Sequence, residues 1–173
     1  MKAKLIKIKD IKASANEGFT LIELLVVIGI LAILMGIVLI AINPAHQFAL
    51  ANDTNRRNAV AQILSAVGQY EAENNGKLPP SIAALPADTD VPISNAAASP
   101  ADADLCTDLI AGPTQFIPAL PADPTNSSSN GQDIGKPCPA GYDTGYTVQH
   151  DANNRVTITA GHTQVPPTIK VTR

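Results

Sequence analysis

Residues of the types that enzymes use are present in this chain but scattered. His46, His150 and His162 each stand apart from other candidate catalytic residues, and the sequence contains no nucleophile elbow, phosphate loop or metal-binding histidine pair. Catalysis needs a nucleophile, a base or a metal ligand held beside its partner. The sequence therefore predicts a protein that is not an enzyme.

One carboxylate stands where its chemistry requires an explanation. Glu23 lies near the start of an apolar stretch, residues 19–42, in which the only other strongly polar side chain is Thr20. A carboxylate costs ~2.5–3.5 kcal/mol near the centre of a bilayer and less toward the interface, so it should have a partner. Two interpretations remain open: Glu23 pairs with a positive group, or its side chain reaches the lipid headgroups.

The stretch around Glu23 predicts a membrane helix. Crossing a hydrocarbon core of ~30 Å takes about 20 apolar residues, and residues 24–42 carry no charge. A core helix of a soluble protein would show a polar stripe, whereas this stretch is apolar all round. A secretory signal peptide would have a shorter apolar region that ends in a small-residue cleavage site.

Charges on the two sides of this helix predict its orientation. Five lysines precede it and only Arg56 and Arg57 follow within a short distance, so the N-terminus should stay in the cytoplasm. Without residues 1–18 the chain keeps seven basic and 13 acidic residues, a net charge of −6. Such an acidic chain, with few and scattered basic residues, is not expected to bind nucleic acids generally.

The helical pattern continues beyond the membrane stretch. Asn43 and Pro44 interrupt it, because proline lacks the amide hydrogen and clashes with the preceding turn. Apolar residues at three- and four-residue spacing then predict an amphipathic half that packs on a globular head and ends at Gly76. The predicted face comprises Phe48, Val60, Ile63, Leu64, Val67 and Tyr70, with Asp53, Arg56, Arg57 and Gln62 largely off it.

The rest of the chain predicts a small β-containing head. Long proline-rich loops should run from residue 77 to about residue 144, with short helices at residues 81–85 and 99–112. Alternating residues 146–150 and 156–160 predict a β-hairpin, and residues 169–171 a third strand. The fold class is therefore α+β: a long N-terminal α-helix, with a transmembrane half and an amphipathic half, packed on a small antiparallel β-sheet head.

Residues 18–25, with the sequence GFTLIELL, lie between a lysine-rich leader and the apolar run. They resemble the prepilin signature of type IV pilins and of type II secretion pseudopilins, and the resemblance extends over residues 1 to about 85. It implies that prepilin peptidase cuts between Gly18 and Phe19 and methylates the new amino group. It also implies a leader at residues 1–18, a transmembrane and polymerisation helix at 19–43, and an exported part at 44–173.

The resemblance implies a structural role. A single-pass membrane protein would polymerise with copies of itself into a type IV pilus-like filament at the cell surface or in the periplasm, with the assembly machinery of the cytoplasmic membrane as a partner. The alternatives are a type II secretion pseudopilin, or a DNA-uptake or adhesion pilin that acts as a binding module. After cleavage, the amine of Phe19 would be the nearest positive partner for Glu23.

Export also bears on the two cysteines and on one loop of the head. Cys106 and Cys138 would meet an oxidising environment, so we predict a disulfide between them rather than two free thiols. No cofactor is expected. The loop with Asp123 and Asp133 is a weak calcium candidate, because it gathers oxygen ligands and some pseudopilins bind calcium in a comparable loop. Its spacing does not match an EF-hand.

Overall fold

The computed structural model describes residues 18–95 and 102–173 of the chain. The chain divides into two compact units, Met1–Asn43 and Pro44–Arg173. The predicted leader, apart from Gly18, and the predicted helix start at residues 99–101 lie outside the described residues.

The described part of the first unit contains one helix, α1 (Leu21–Ala41). Thr20 caps its N-terminus. The helix ends just before Asn43, whose helical conformation is disfavoured by the ring of Pro44. No residue of α1 is buried within the chain. The helix therefore presents apolar surface on every side.

The second unit begins with α2 (Pro44–Glu73). Pro44 fits the first helical position, because the amide hydrogen that it lacks would have no partner within the helix. At the other end Asn75 and Gly76 have left-handed φ angles of 57° and 77°. The Gly76 amide donates to the carbonyl of Glu71 at 2.8 Å, which satisfies a carbonyl of the last turn. The short helix α3 (Pro80–Ala83) follows, close to its predicted place.

An antiparallel sheet of four strands forms the frame of the second unit. The strands are β1 (Val91–Ser94), β4 (Asp143–His150), β5 (Val156–Ala160) and β6 (Ile169–Thr172), in the order β1-β4-β5-β6. Pairing of β4 with β5 confirms the predicted hairpin, and pairing of β5 with β6 confirms the third strand. A second sheet pairs β2 (Ala119–Leu120) with β3 (Ile134–Gly135). The α+β fold class is confirmed.

The hydrophobic core of the head forms where α2 contacts β5 and β6. Removing one Val, Leu or Ile side chain from water contributes roughly 1.5–3 kcal/mol. Central members of the core are Val60, Ile63, Val67, Leu109, Tyr146, Val148 and Ile158.

Two features of α2 differ from the predicted face. Phe48, which the spacing predicts to pack on the head, is 71% exposed. Asp53 and Arg56, which the spacing predicts to lie largely off that face, are 1% and 0% exposed. The physical reason is that two loops, far away in sequence, bring hydrogen-bonding partners to these two side chains. A count of apolar positions along the helix does not reveal such partners.

The loop region has more regular structure than the sequence predicts. Strand β1 contains Pro92, which is tolerated because β1 lies at the edge of the sheet. The helical turn predicted from residue 99 begins at residue 105, and its last five residues, Thr107–Ala111, have π-helix geometry. Strand β1 and this turn both lie where proline and aspartate residues obscure the local pattern of apolar and polar residues.

Candidate functional site

The segment that leads into α1 forms the first part of the candidate site. Gly18, Phe19 and Thr20 precede the helix, and the backbone of Thr20 is extended. The Thr20 hydroxyl accepts a hydrogen bond from the Glu23 amide at 3.3 Å. The Glu23 carboxylate in turn accepts hydrogen bonds from the Thr20 amide at 2.8 Å and from the Thr20 hydroxyl at 2.7 Å. These reciprocal bonds are a capping box, which fixes where α1 begins.

The capping box gives Glu23 a partner that neither sequence-based interpretation of this acid includes. The signal was present in the sequence, because a threonine followed three residues later by a glutamate at the start of an apolar run is a recognisable capping pattern. The pairing of Glu23 with the Phe19 amine stays a prediction. In the full chain the nitrogen of Phe19 belongs to a peptide bond with Gly18.

The surface of α1 forms the second part of the site. Helix α1 is long and apolar enough to cross a membrane, and none of it is buried. A Cβ atom added at Gly29 or Gly36 would meet no other atom within 4 Å. The absence of side chains at these two positions is therefore not explained by packing within the described part of the chain.

A buried ionic network holds α2 to a loop of the head. Arg56 donates from Nε and Nη2 to the two carboxylate oxygens of Asp123, at 2.7 and 2.9 Å. Its Nη1 donates to Asp53 at 2.7 Å, and its Nη2 also donates to the Thr125 hydroxyl at 2.7 Å. The paired bonds to Asp123 have the fork geometry in which a guanidinium binds a carboxylate most strongly.

Asp53 extends the network to a second loop. Its carboxylate accepts hydrogen bonds from the backbone amides of Gln164 and Val165, at 3.0 and 2.7 Å. These residues lie between β5 and β6. One turn of α2 thus fastens two loops through buried polar groups that have all found partners, as burial of charge requires.

The network shifts the pKa values of its members. Burial raises the pKa of Asp53, but hydrogen bonds from Gln164, Arg56 and Val165 outweigh it, and the pKa lies below its ordinary value. Burial likewise raises the pKa of Asp123, and the bonds from Arg56 and Thr125 more than reverse this effect. Hydrogen bonds to Asp123 raise the pKa of Arg56 against the opposing effect of burial. All three groups are therefore held in their charged forms.

The calcium candidates are engaged in hydrogen bonds. Both oxygens of Asp123 accept from Arg56, and one of them also accepts from the amide and the hydroxyl of Thr125. Asp133 accepts from the amide of Ala122 at 3.3 Å. Among the described residues there is no group of three or more His, Cys, Asp or Glu side chains placed to hold a metal ion.

The two cysteines are joined by a disulfide. Cys106 and Cys138 have Cα atoms 5.8 Å apart and are separated by 32 positions in the sequence. The amide of Cys106 also donates to the hydroxyl of Tyr142 at 3.1 Å, and this hydroxyl donates to Asp104 at 2.9 Å. The disulfide therefore closes a loop whose start is also fixed by hydrogen bonds.

The N-terminal segment matches a known family motif. Residues 13–39 fit the family model described as the prokaryotic N-terminal methylation motif, which is the signature of type IV pilins and pseudopilins. The matched residues include Gly18, Phe19, the capping box and most of α1. The motif points to a structural subunit, and it implies processing by prepilin peptidase and assembly in a pilus or secretion system. With the apolar α1, it indicates membrane anchoring before assembly.

Searches of the curated proteins and of the solved structures found no match to this chain.

Proposed function

We propose that this chain is the precursor of a subunit that polymerises through α1 into a type IV pilus-like surface filament. The observation that carries the proposal is that most of α1 lies inside the methylation motif and that no residue of α1 is buried by the described part of the chain. Apolar surface of this extent is stable in lipid, or where other protein surfaces replace the lipid. Copies of α1 can provide such surfaces for one another.

Processing of the precursor comes before α1 exchanges its lipid surroundings for contacts with other copies of α1. Prepilin peptidase cuts between Gly18 and Phe19 while the N-terminus faces the cytoplasm and the head lies on the other side of the membrane. Residues without side chains favour close contact between membrane helices, where lipid-like side chains supply no preference of their own. Gly29 and Gly36 are suited to such contacts, because a Cβ atom added at either position would have no described atom within 4 Å.

Glu23 has two roles in this scheme. A carboxylate offers about four acceptor positions, so it can keep its bonds to Thr20 and also accept the ammonium group of Phe19, from its own chain or from a neighbour. The bonds to Thr20 start the helix. The bond to the ammonium group of Phe19 pairs two opposite charges inside a helical bundle that contains little water. Breaking one side of such a buried pair typically costs ~3–5 kcal/mol.

Three variants separate the two roles of Glu23. Glu23→Gln keeps the capping pattern, since glutamine serves at this position of a capping box, but it removes the charge. Thr20→Val removes the cap and keeps the charge. Glu23→Ala removes both. We expect Glu23→Gln and Glu23→Ala to insert in the membrane and form little fibre, whereas Thr20→Val forms fibre at close to the normal yield.

The measurement is the amount of sheared fibre relative to mature subunit in the membrane. N-terminal sequencing of that subunit should give Phe19 for each variant, and a bulky residue in place of Gly18 should leave uncut precursor. Normal fibre yield from both Glu23 variants would show that the charge is not needed for assembly. A mature chain that begins elsewhere than Phe19 would refute the processing step.

A further inference from the structure

A small cavity in the second unit has a lining that suits a cation. It lies between the end of α2, the turn Thr107–Ala111 and the segment that follows this turn, and it has a volume of about 310 Å³. Its lining includes Tyr70, Glu73, Asn74, Asp108, Thr114 and Phe116, and the described residues contribute no Lys or Arg to it. Each of these side chains is at least partly open to solvent. The cavity is therefore accessible without a change of fold.

Two aromatic rings form the apolar part of the lining. The rings of Tyr70 and Phe116 have centroids 5.3 Å apart and are tilted by 60° to each other. The amide of Phe116 donates to the carbonyl of Leu109 at 2.9 Å, which holds the segment that carries this ring against the turn. Tyr142 and Tyr146, by contrast, are buried in the core. A partly exposed aromatic pair can contact both alkyl chains and cations.

Two carboxylates, Glu73 and Asp108, complete the site. Within residues 18–95 and 102–173 neither Glu73 nor Asp108 takes part in an ion pair. Asp108 uses one oxygen to accept from the amide of Ser81 at 2.8 Å, so its other oxygen can bind a ligand. An anion would be repelled here, and a purely apolar ligand would cover Glu73 and the second oxygen of Asp108 without bonding to them.

We infer that this cavity binds the side chain of a lysine presented by another polypeptide. Its four methylene groups pack on Tyr70 and Phe116, and its ammonium group lies between Glu73 and Asp108. Asn74 and Thr114 also line the cavity, and their side-chain oxygens can accept hydrogen bonds from the peptide groups that flank the lysine. A free alkylamine has no such peptide groups.

The test uses the full chain in detergent micelles, labelled with 4-fluorophenylalanine. The chain has three phenylalanines, so the ¹⁹F spectrum has three signals, and Phe116→Leu identifies the signal of Phe116. The probes are Nα-acetyl-lysine-methylamide, the matching norleucine compound, which has an alkyl chain without charge, and butylamine. We expect the lysine compound to shift the Phe116 signal at lower concentration than either of the other two.

Two variants complete the test. Glu73→Gln should weaken binding of the lysine compound about fivefold, the effect expected for loss of an exposed ion pair. Glu71→Gln is the matched control, because Glu71 lies on the same helix but does not line the cavity, and it should leave binding unchanged. Equal shifts with norleucine, or no effect of Glu73→Gln, would overturn the cation site. Equal binding of butylamine would overturn the assignment to a polypeptide.

Discussion

Helices α1 and α2 follow each other in the chain and differ in how much of each is buried. None of the 21 residues of α1 is buried, although nearly all are apolar. Nine of the 30 residues of α2 are buried, and they include Asp53 and Arg56. Burial within a chain therefore depends on which partners the fold supplies. The head supplies partners for the charges of α2, whereas α1 must find its partners in lipid or in other molecules.

The largest difference is expected between two adjacent arginines of α2. Arg56→Met leaves the carboxylates of Asp53 and Asp123 buried without their cation, which typically costs ~3–5 kcal/mol. Arg57 is exposed, and Arg57→Met should change the free energy of unfolding by less than about 0.5 kcal/mol. Denaturant unfolding of the full chain, followed by tyrosine fluorescence, measures both effects.

Tyrosine fluorescence is suited to this experiment, because all three tyrosines lie in the second unit and the chain has no tryptophan. The signal therefore reports the head and not α1. If Arg56→Met and Arg57→Met destabilise the head equally, the buried network does not carry the role assigned to it.

A pair of isoleucines compares the two helices directly. Ile63 of α2 is 0% exposed and Ile33 of α1 is 68% exposed. Ile63→Ala should lower the free energy of unfolding of the head by about 2–5 kcal/mol, because it removes buried surface and leaves a cavity. Ile33→Ala should leave that free energy unchanged. A loss of head stability from Ile33→Ala would show that the head depends on α1, whereas the exposure of Ile33 predicts that it does not.

Acid should weaken the head gradually. The pKa values of Asp53 and Asp123 are lowered by folding, from an ordinary value of 3.8. The unfolded chain therefore binds protons at higher pH than the folded chain does. The stabilisation is complete well above about pH 4 and is lost as the pH falls through the lower pKa of the folded state.

Unfolding measured at a series of pH values tests this expectation. Asp123→Asn removes one of the two titrating carboxylates of the buried network and should make the fall in stability below pH 4 shallower. Asp151→Asn is the comparison variant and should have the smaller effect: hydrogen bonds from Arg155 also lower the pKa of Asp151, but their ion pair is exposed on the arginine side and is weakened by salt. An acid dependence that is the same in Asp123→Asn as in the unchanged chain would contradict the assignment.

The parts of the fold that the sequence predicts are those with a periodic local signal. Unbroken apolar character reveals α1, and strict alternation reveals β4 and β5. Strand β1 is missed because Pro92 argues against a strand unless its place at the sheet edge is known. The start of the turn at residue 105 is missed for a related reason, since the proline and acid just before it are typical of a helix start.

The candidate site also has parts with a local sequence signal and parts without one. The motif at residues 18–25 is local, and the capping pattern of Thr20 with Glu23 could have been recognised in the sequence. The partners of Arg56 could not have been recognised in the sequence. Asp123 lies 67 positions from Arg56, and the amide of Val165 lies 112 positions from Asp53. No local pattern links residues so far apart, and only the folded chain brings them together.

The fastening of α2 to distant loops has a consequence for the order of events during synthesis. Helix α2 is made before the amides that bond to Asp53 and before the Arg173 side chain that lies over Gly68. Arg173 also exchanges backbone hydrogen bonds with Val156, at 3.0 and 3.1 Å. A ribosome working from the N-terminal end therefore has to release Gln164, Val165 and Arg173 before the head can close.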